Sequence, residues 1–463
     1  MATTISRRQM LRGTGLGLSG VVAAGLLPSC SSDAEEPARN ADVIVIGAGV
    51  SGLAAARQLA ENGRRVTVLE GRDRIGGRVW TSTLWPDTPL DLGASWIHGI
   101  DGNPVYDIAR QINARTAVTD GDDITYYLPD GAEATRVKSE SLESWGTRVA
   151  GALADYQDSA DTDSSIRTAL APHAITGLTG TERELLDYTI NELEHEYAGS
   201  AAELSALYFD SDGPVNGDDV LFPAGYGQIT DHLGAGLRVL TGHTVRGIDW
   251  NPSGVVVTTG RGDFEAGQVV VTLPLGVLKS GSVEFSAGLP AAKSAAIRGL
   301  GVGVLNKCYL RFPETFWADT DWLGYVPPLG SYGQWAQWIN IARPTGRPVL
   351  LGFNAADFGR TIEAWTDTQI IETAMSTLRR MYGRGCPDPT GHQITRWASD
   401  SYALGSYSFY AVGSTPAMRD DLAATVDNRV YFAGEATDRT APGTVHGAYM
   451  SGVRAARDMI RRA

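Results

Sequence analysis

Cysteine is scarce in this sequence: 463 residues include three, Cys30, Cys308 and Cys386. That excludes the disulfide framework of small exported folds and leaves stability to a packed core. Positive charge is also short, with 39 Lys and Arg against 53 Asp and Glu and a net charge of −14. A nucleic-acid partner, which demands clustered cations to neutralise phosphate, is thereby excluded. A cationic ligand suits this field, although acidity also serves solubility alone. The seven histidines show no HExxH-like spacing, and neither a CxxC pair nor a GxSxG elbow occurs, so no metal site and no serine-hydrolase site is expected. Repeats and low-complexity tracts are missing beyond residue 40. What is there instead is an ordinary globular composition, 43% hydrophobic and 20% charged, in a chain long enough for a large core divided between two domains.

The first 30 residues stand apart. Ser6-Arg7-Arg8-Gln9-Met10-Leu11 precedes an apolar, Gly-rich run over residues 16–27, the arrangement of a twin-arginine export signal and too short for a membrane-spanning helix. The run closes on Leu27-Pro28-Ser29-Cys30, which resembles a lipobox with an unusual Pro28. Two mature forms are open: one anchored by a lipid on Cys30 and tethered through polar residues 31–40, the other soluble. Both place the protein outside the cytoplasm.

Residues 42–46 form a nearly continuous apolar run of strand length, the pattern of a strand buried on both faces of a parallel sheet. Residues 50–60 carry apolar side chains on a helical period, Asn62-Gly63 ends the helix, and residues 65–69 read as a second strand closing at Glu70. Residues 130–198 then turn polar and helical, with amphipathic stretches at 142–156 and 181–197, and look like an insertion. Further strands are predicted at 244–250, 254–259, 268–273, 306–312, 349–354 and 429–433, with helices at 368–381 and 443–461.

Between the first strand and helix, Gly47-Ala48-Gly49-Val50-Ser51-Gly52 fits GxGxxG. Gly47 serves the tight turn, Gly49 the close approach of backbone to a pyrophosphate, and Gly52 helix–strand packing. Glu70 follows Gly47 by 23 positions, placed to accept both hydroxyls of an adenosine ribose and to repel a 2′-phosphate, so FAD or NAD is expected rather than NADP.

The residues directly after Glu70 decide between the two. Arg72, Arg74, Gly76, Gly77 and Arg78 form a string that resembles that of the flavin-containing amine oxidase superfamily. A second stretch, Val430-Tyr431-Phe432-Ala433-Gly434-Glu435-Ala436-Thr437, resembles the family's C-terminal motif. The likeness extends through Asp91-Leu92-Gly93-Ala94-Ser95-Trp96-Ile97-His98-Gly99 and residues 221–228, 272–278 and 443–452, and it is closer to the polyamine oxidases than to the monoamine branch. It implies an α/β fold: a Rossmann-like FAD-binding domain (residues 41–110, 219–300 and 396–463) with a second, α+β substrate-binding domain (111–218 and 301–395). It implies non-covalent FAD, because Ser406 stands where monoamine oxidases hold a tethering Cys. Gly434, Glu435, Val245, Trp397, Thr444 and Val445 are implied as cofactor contacts beside the Gly and Arg residues already named, with the helix opening at 443–445 pointing the positive end of its dipole at the flavin.

The resemblance also implies an oxidation in which the cofactor takes a hydride from the carbon beside an amine nitrogen, leaving an imine that water hydrolyses while oxygen becomes hydrogen peroxide. Tyr407 matches one wall of the aromatic cage, and Thr444 replaces a second Tyr opposite it, which opens the pocket toward long or secondary amines. Lys307 shares a strand face with Leu305 and Tyr309, an apolar setting for an ammonium, and matches the family lysine that holds a water at flavin N5. His98 alone reads as a buried, hydrogen-bonded histidine; the family match implies contact with a polyamine. Trp397 and Tyr402 match aromatic positions near the ring, though large aromatics otherwise serve the core. Glu194, Glu196 and Asp210 are candidate carboxylates for distal amines. Two alternatives stand beside this: an oxidase or dehydrogenase of amino acids or heterocyclic amines, which would use a pocket arginine such as Arg343, Arg360 or Arg396, and a non-catalytic flavin or polyamine binder.

Overall fold

Aliphatic runs of four residues become strands when both of their faces can be covered. Val43–Ile46 has every side chain buried and pairs in parallel with Val66–Leu69 on one side and Gln268–Val271 on the other. Val430–Phe432 and Val239–Leu240 extend the two edges into a five-stranded parallel sheet. The protein is described here as a computed structural model covering residues 41–172 and 178–462. The expected twin-arginine signal, the lipobox with Cys30 and the tether to residue 40 lie outside the described residues.

Two helices 400 residues apart close over this sheet. Val50–Glu61 and the last helix, Val445–Arg461, approach so tightly that a Cβ on Gly452 would stand 2.1 Å from the Ser51 carbonyl oxygen. The hydroxyls of Ser51 and Ser451 meet at 3.2 Å across the crossing. Gly52 packs against the preceding turn in the same way: a Cβ there would lie 1.9 Å from the carbonyl oxygen of Gly47.

A second sheet has six strands in the order Gly391–Ile394, Leu305–Arg311, Val349–Ala355, Gln337–Asn340, Trp322–Tyr325 and Ile124–Tyr127. Its pairs are antiparallel except for the last. The insertion folds as Arg136–Ser159, Ile166–Leu170 and Gly180–Tyr197, the last opened by a capping box of Thr179 and Glu182. The architecture is therefore mixed α/β, with a parallel dinucleotide-type sheet beside an antiparallel one. A small sheet of Trp96–Ile97, Asp219–Leu221 and Ala117–Thr119 joins segments assigned above to different domains, so the boundary between them passes through paired strands. Such two- and three-residue strands escape sequence periodicity because alternation needs at least four positions to register.

The Gly452 contact yields a prediction. Gly452→Ala forces two helix backbones apart and is expected to cost about 1–3 kcal/mol. Gly146→Ala, in a helix interior with open space around the new methyl, is expected to gain up to about 1 kcal/mol. Thermal denaturation of both variants checks the contrast.

Candidate active site

The carboxyl ends of three adjacent parallel strands, at Ile46, Val271 and Phe432, open onto one cavity of about 720 Å³, the place where open parallel sheets hold their ligands. At one end Gly47 turns with φ +98°, and a Cβ there would lie 2.7 Å from Thr272 Oγ1, so only glycine fits. Glu70, buried at the end of Val66–Leu69, accepts the Ala48 amide at 2.7 Å and the Arg72 amide at 2.8 Å. One bond per oxygen leaves lone pairs for hydroxyls. Gly76 and Gly77, at φ +95° and +60°, lay the following loop against the first turn, where the Gly76 amide donates to Ala48 O. Val245 lines the same end.

The Arg72 guanidinium is held in a bidentate pair with Asp400 at 2.9 and 2.7 Å, so its backbone amide, rather than its charge, supports Glu70. Tyr402 lines the cavity, as Trp397 does. Its hydroxyl meets Thr244 Oγ1 at 2.9 Å and its ring packs on Gly71 and under Arg72. Tyr402 sits in the turn at Asp400, whose carbonyl accepts from Ala403 and Leu404 and whose carboxylate is pinned by Arg72.

In the middle of the cavity Glu435 is buried and fully engaged. Arg78 Nη1 donates to Oε1 at 2.8 Å, while the Ser408 hydroxyl and the Gly443 amide donate to Oε2 at 2.6 and 3.0 Å. Burial alone would raise its proton affinity; Arg78, Ser408 and Arg419 outweigh that and hold the carboxyl below its usual range. Arg419, from the helix Pro416–Ala423, is completely buried and donates to Ser408 Oγ at 2.8 Å and Ala436 O at 3.1 Å. Nothing in its amphipathic helix marks it in the sequence. Gly434 opens to the cavity, and a Cβ there would meet nothing within 4 Å.

At the other end Lys307 is buried on the strand Leu305–Arg311, its amine bonded to Asp91 O, Gly93 O and Ser95 Oγ. Burial lowers the proton affinity of this amine, against the opposing charge of Asp91. The Asp91 carboxyl is itself pushed up by burial although Thr81 and the Tyr226 amide bond to it. Trp397, fixed through its indole N–H to Leu92 O at 3.1 Å, stands beside Trp96, Phe353 and Tyr407 in the lining. The Tyr407 hydroxyl donates to the carbonyls of His195 and Glu196 at 3.1 and 3.0 Å. Thr444 caps the last helix, accepting the Gly447 amide at 2.9 Å and donating to Ala441 O at 2.8 Å, so it presents no free hydroxyl; Val445 follows it in the lining. His98 lines the cavity at an exposed position and meets Asp219 at 3.0 Å through Nδ1, which corrects the reading of it as a buried histidine. The small sheet ends here and leaves the ring outside the core.

Of the candidate carboxylates, Glu196 reaches the lining. Glu194 is buried instead, bonded to the Asn191 side chain and the Ala201 amide, and Asp210 is bonded to Gln157. An unpredicted exposed carboxylate, Asp212, joins Glu196 in the lining. Arg343, Arg360 and Arg396 all lie outside it, tied to Asp123, to Val302 O and to Asp367 respectively. Of the proposed cofactor-binding residues, Gly52 alone is set back from the lining.

The donor set fits FAD. A glycine turn without side chains, a buried acid with spare lone pairs, and a glycine whose added Cβ would stand in empty space describe a cradle for a dinucleotide rather than for a compact ligand. Ser406 Oγ accepts from Leu305 N–H and donates to Leu305 O and offers no thiol for a covalent tether.

Residues 50–460 match the family described as flavin containing amine oxidoreductase. The chain is 36% identical to polyamine oxidase 2 of Arabidopsis thaliana, covering 92% of this chain and 89% of that one. It is 34% identical to polyamine oxidase 4 of Oryza sativa subsp. japonica, over 94% and 91%. It is as similar, at 36%, to lysine-specific histone demethylase 1 homolog 1 of Arabidopsis thaliana, covering 96% of this chain but 54% of that relative, so it spans about half the length of those demethylases. A solved putrescine oxidase with putrescine bound has the same fold, with a TM-score of 0.75 at 20% identity over 91% of this chain and 99% of that one.

Glu70→Ala tests the cradle. Losing a hydrogen-bonded charge worth about 1.5–3 kcal/mol is expected to weaken FAD binding tenfold or more, measured by flavin fluorescence on titrating the apoprotein.

Proposed function

Because this chain belongs to the flavin containing amine oxidoreductase family, whose cofactor is FAD, we propose that it is an amine oxidase acting on a polyamine or a related secondary or primary amine. In the balanced reaction, R–CH2–NH–R′ with oxygen and water gives an aldehyde, the amine R′NH2 and hydrogen peroxide. The observation that carries the polyamine reading is the charge of the lining. Exposed Glu196 and Asp212 lie in the same cavity as Tyr407 and Lys307, and the arginines considered as carboxylate clamps are bound elsewhere.

When bound, FAD supplies the two-electron acceptor. The protein's own residues do the rest. Tyr407, Trp397, Trp96 and Phe353 surround the amine with low polarity, which disfavours its charged form and keeps the nitrogen lone pair available. Glu196 and Asp212 hold the distal ammonium groups, and His98 with Asp219 borders the path between. Lys307 gives its three N–H groups to protein oxygens, so it reaches a water molecule at the reacting end through the Ser95 hydroxyl. Non-covalent attachment is supported by Ser406, whose hydroxyl is spent on Leu305.

Anaerobic mixing of the FAD-loaded protein with spermine, spermidine, putrescine, phenylethylamine, amino acids and a methyl-lysine peptide tests the reading through flavin bleaching. Polyamines are expected to bleach it. Bleaching by amino acids or by the peptide alone would overturn the substrate assignment, and no bleaching by any amine would favour a binding protein. In Asp212→Asn the KM for spermine is expected to rise about tenfold, the worth of one charged hydrogen bond, with kcat little changed.

A further inference from the structure

Lys307 has three partners, at 2.8 Å from Asp91 O, 2.6 Å from Gly93 O and 2.5 Å from Ser95 Oγ. The first two are main-chain carbonyls, which only accept. The third is a hydroxyl, which donates or accepts. We propose that Ser95 is the positioning residue that allows the Lys307 amine to gain and lose a proton inside the cavity, because its hydroxyl is the one partner that satisfies the amine in both charge states.

An ammonium brings three N–H groups. Two go to the carbonyls and the third to Ser95 Oγ, whose own hydrogen then points to Asp91 O at 3.4 Å or into the cavity that Ser95 lines. A neutral amine brings two N–H groups and a lone pair. The two stay on the carbonyls and the lone pair accepts the Ser95 O–H. Neither state leaves a buried donor or acceptor unmet, the condition under which a buried group titrates without distorting its surroundings. When the ammonium loses its proton, an N–H bond breaks at Lys307 and that hydrogen passes to Ser95 Oγ, while the hydrogen Ser95 carried leaves to a water molecule or a substrate amine in the cavity; the reverse restores the ammonium.

Each element packed around the amine contributes to this setting. From Leu90–Asp91 comes the Asp91 carboxylate, turned away to Thr81 Oγ1 and the Tyr226 amide. From Lys307's own strand comes Tyr309, whose hydroxyl donates to Asp91 O at 2.8 Å. The paired strand Val349–Ala355 places the neutral Phe353 opposite Lys307, Thr395 accepts the Lys307 amide, and the Trp96 ring lies 5.9 Å from the amine. Asp91 is thus the charge that Lys307 meets, and it acts on the ammonium through its carbonyl and its field rather than through an ion pair. Burial pulls the amine's proton affinity below the ordinary lysine range, with Asp91 opposing.

This inference rests on reading Lys307 as the amine beside the reacting nitrogen, and the experiment keeps the two apart. Acylation of Lys307 by acetic anhydride in the FAD-loaded protein, followed against pH by peptide mass spectrometry, gives the amine's midpoint without any turnover. The wild-type midpoint is expected below that of a free lysine, about 10.4. Ser95→Ala removes the acceptor of the third N–H and harms the ammonium more than the neutral amine, so the midpoint is expected to fall by about one pH unit. Ser95→Thr keeps the hydroxyl and is expected to restore it. If Ser95→Ala does not fold, Ser95→Cys, a weak hydrogen-bonding group of similar size, is expected to show the same fall. A wild-type midpoint retained without the hydroxyl, or a fall that threonine does not repair, overturns the proposal. Separately, Lys307→Met is expected to retain FAD and turn over at least a hundredfold more slowly, within the range of about 10² to 10⁴ for lost proton-transfer assistance; unaltered turnover would remove Lys307 from the chemistry while leaving the Ser95 result intact.

Discussion

A buried carboxylate stays charged only if the chain brings it counter-charges, and Glu435 is where this structure meets that demand. Arg78 arrives from the loop after the second strand, Ser408 from a short strand ahead of the closing segments, and Arg419 from behind through the Ser408 hydroxyl. Removing one member of such a set leaves the others buried and uncompensated, a loss of about 3–5 kcal/mol where it has been measured. The network therefore ties the C-terminal strand to the N-terminal dinucleotide turn, and it fixes the centre of the cavity around which both ends are arranged.

From that centre the cavity changes character along its length. Toward Glu70 it is a backbone surface, with glycines at Gly47, Gly76 and Gly434 holding positive φ where side chains would intrude or strain the turn. Toward Lys307 it is aromatic, and toward Glu196 and Asp212 it is acidic. A flexible cation with several amines matches this gradient, one nitrogen losing its charge among Trp397, Tyr407 and Phe353 while the others keep theirs at the mouth. His446, beside His98 at the start of the last helix, is held down to about 4 by burial and by its neighbour, so His446 itself adds no cation to oppose such a ligand near neutrality.

Much of this was legible in the residues. The first strand, glycine turn, helix and Glu70 form a local unit, and local units carry their own periodicity; the predicted 50–60 and 254–259 correspond to Val50–Glu61 and Gly254–Thr259. Lys307 betrayed itself by an apolar strand face. Asp212 and Arg419 gave no such signal, because a carboxylate in an irregular segment and an arginine in an amphipathic helix look the same whether they face solvent or a cavity.

The sequence by itself determined that a dinucleotide is bound, since glycine spacing, strand hydrophobicity and the acid 23 residues on are constraints within one βαβ unit, and its likeness to the amine oxidases narrowed the cofactor to FAD and implied the fold. Only the tertiary structure decided which oxygens surround the Lys307 amine, which carboxylates line the cavity, and which arginine stands behind Glu435. Those are contacts between segments as many as 357 positions apart, as for Arg78 and Glu435, and a one-dimensional pattern does not encode how such segments meet when packing brings them together.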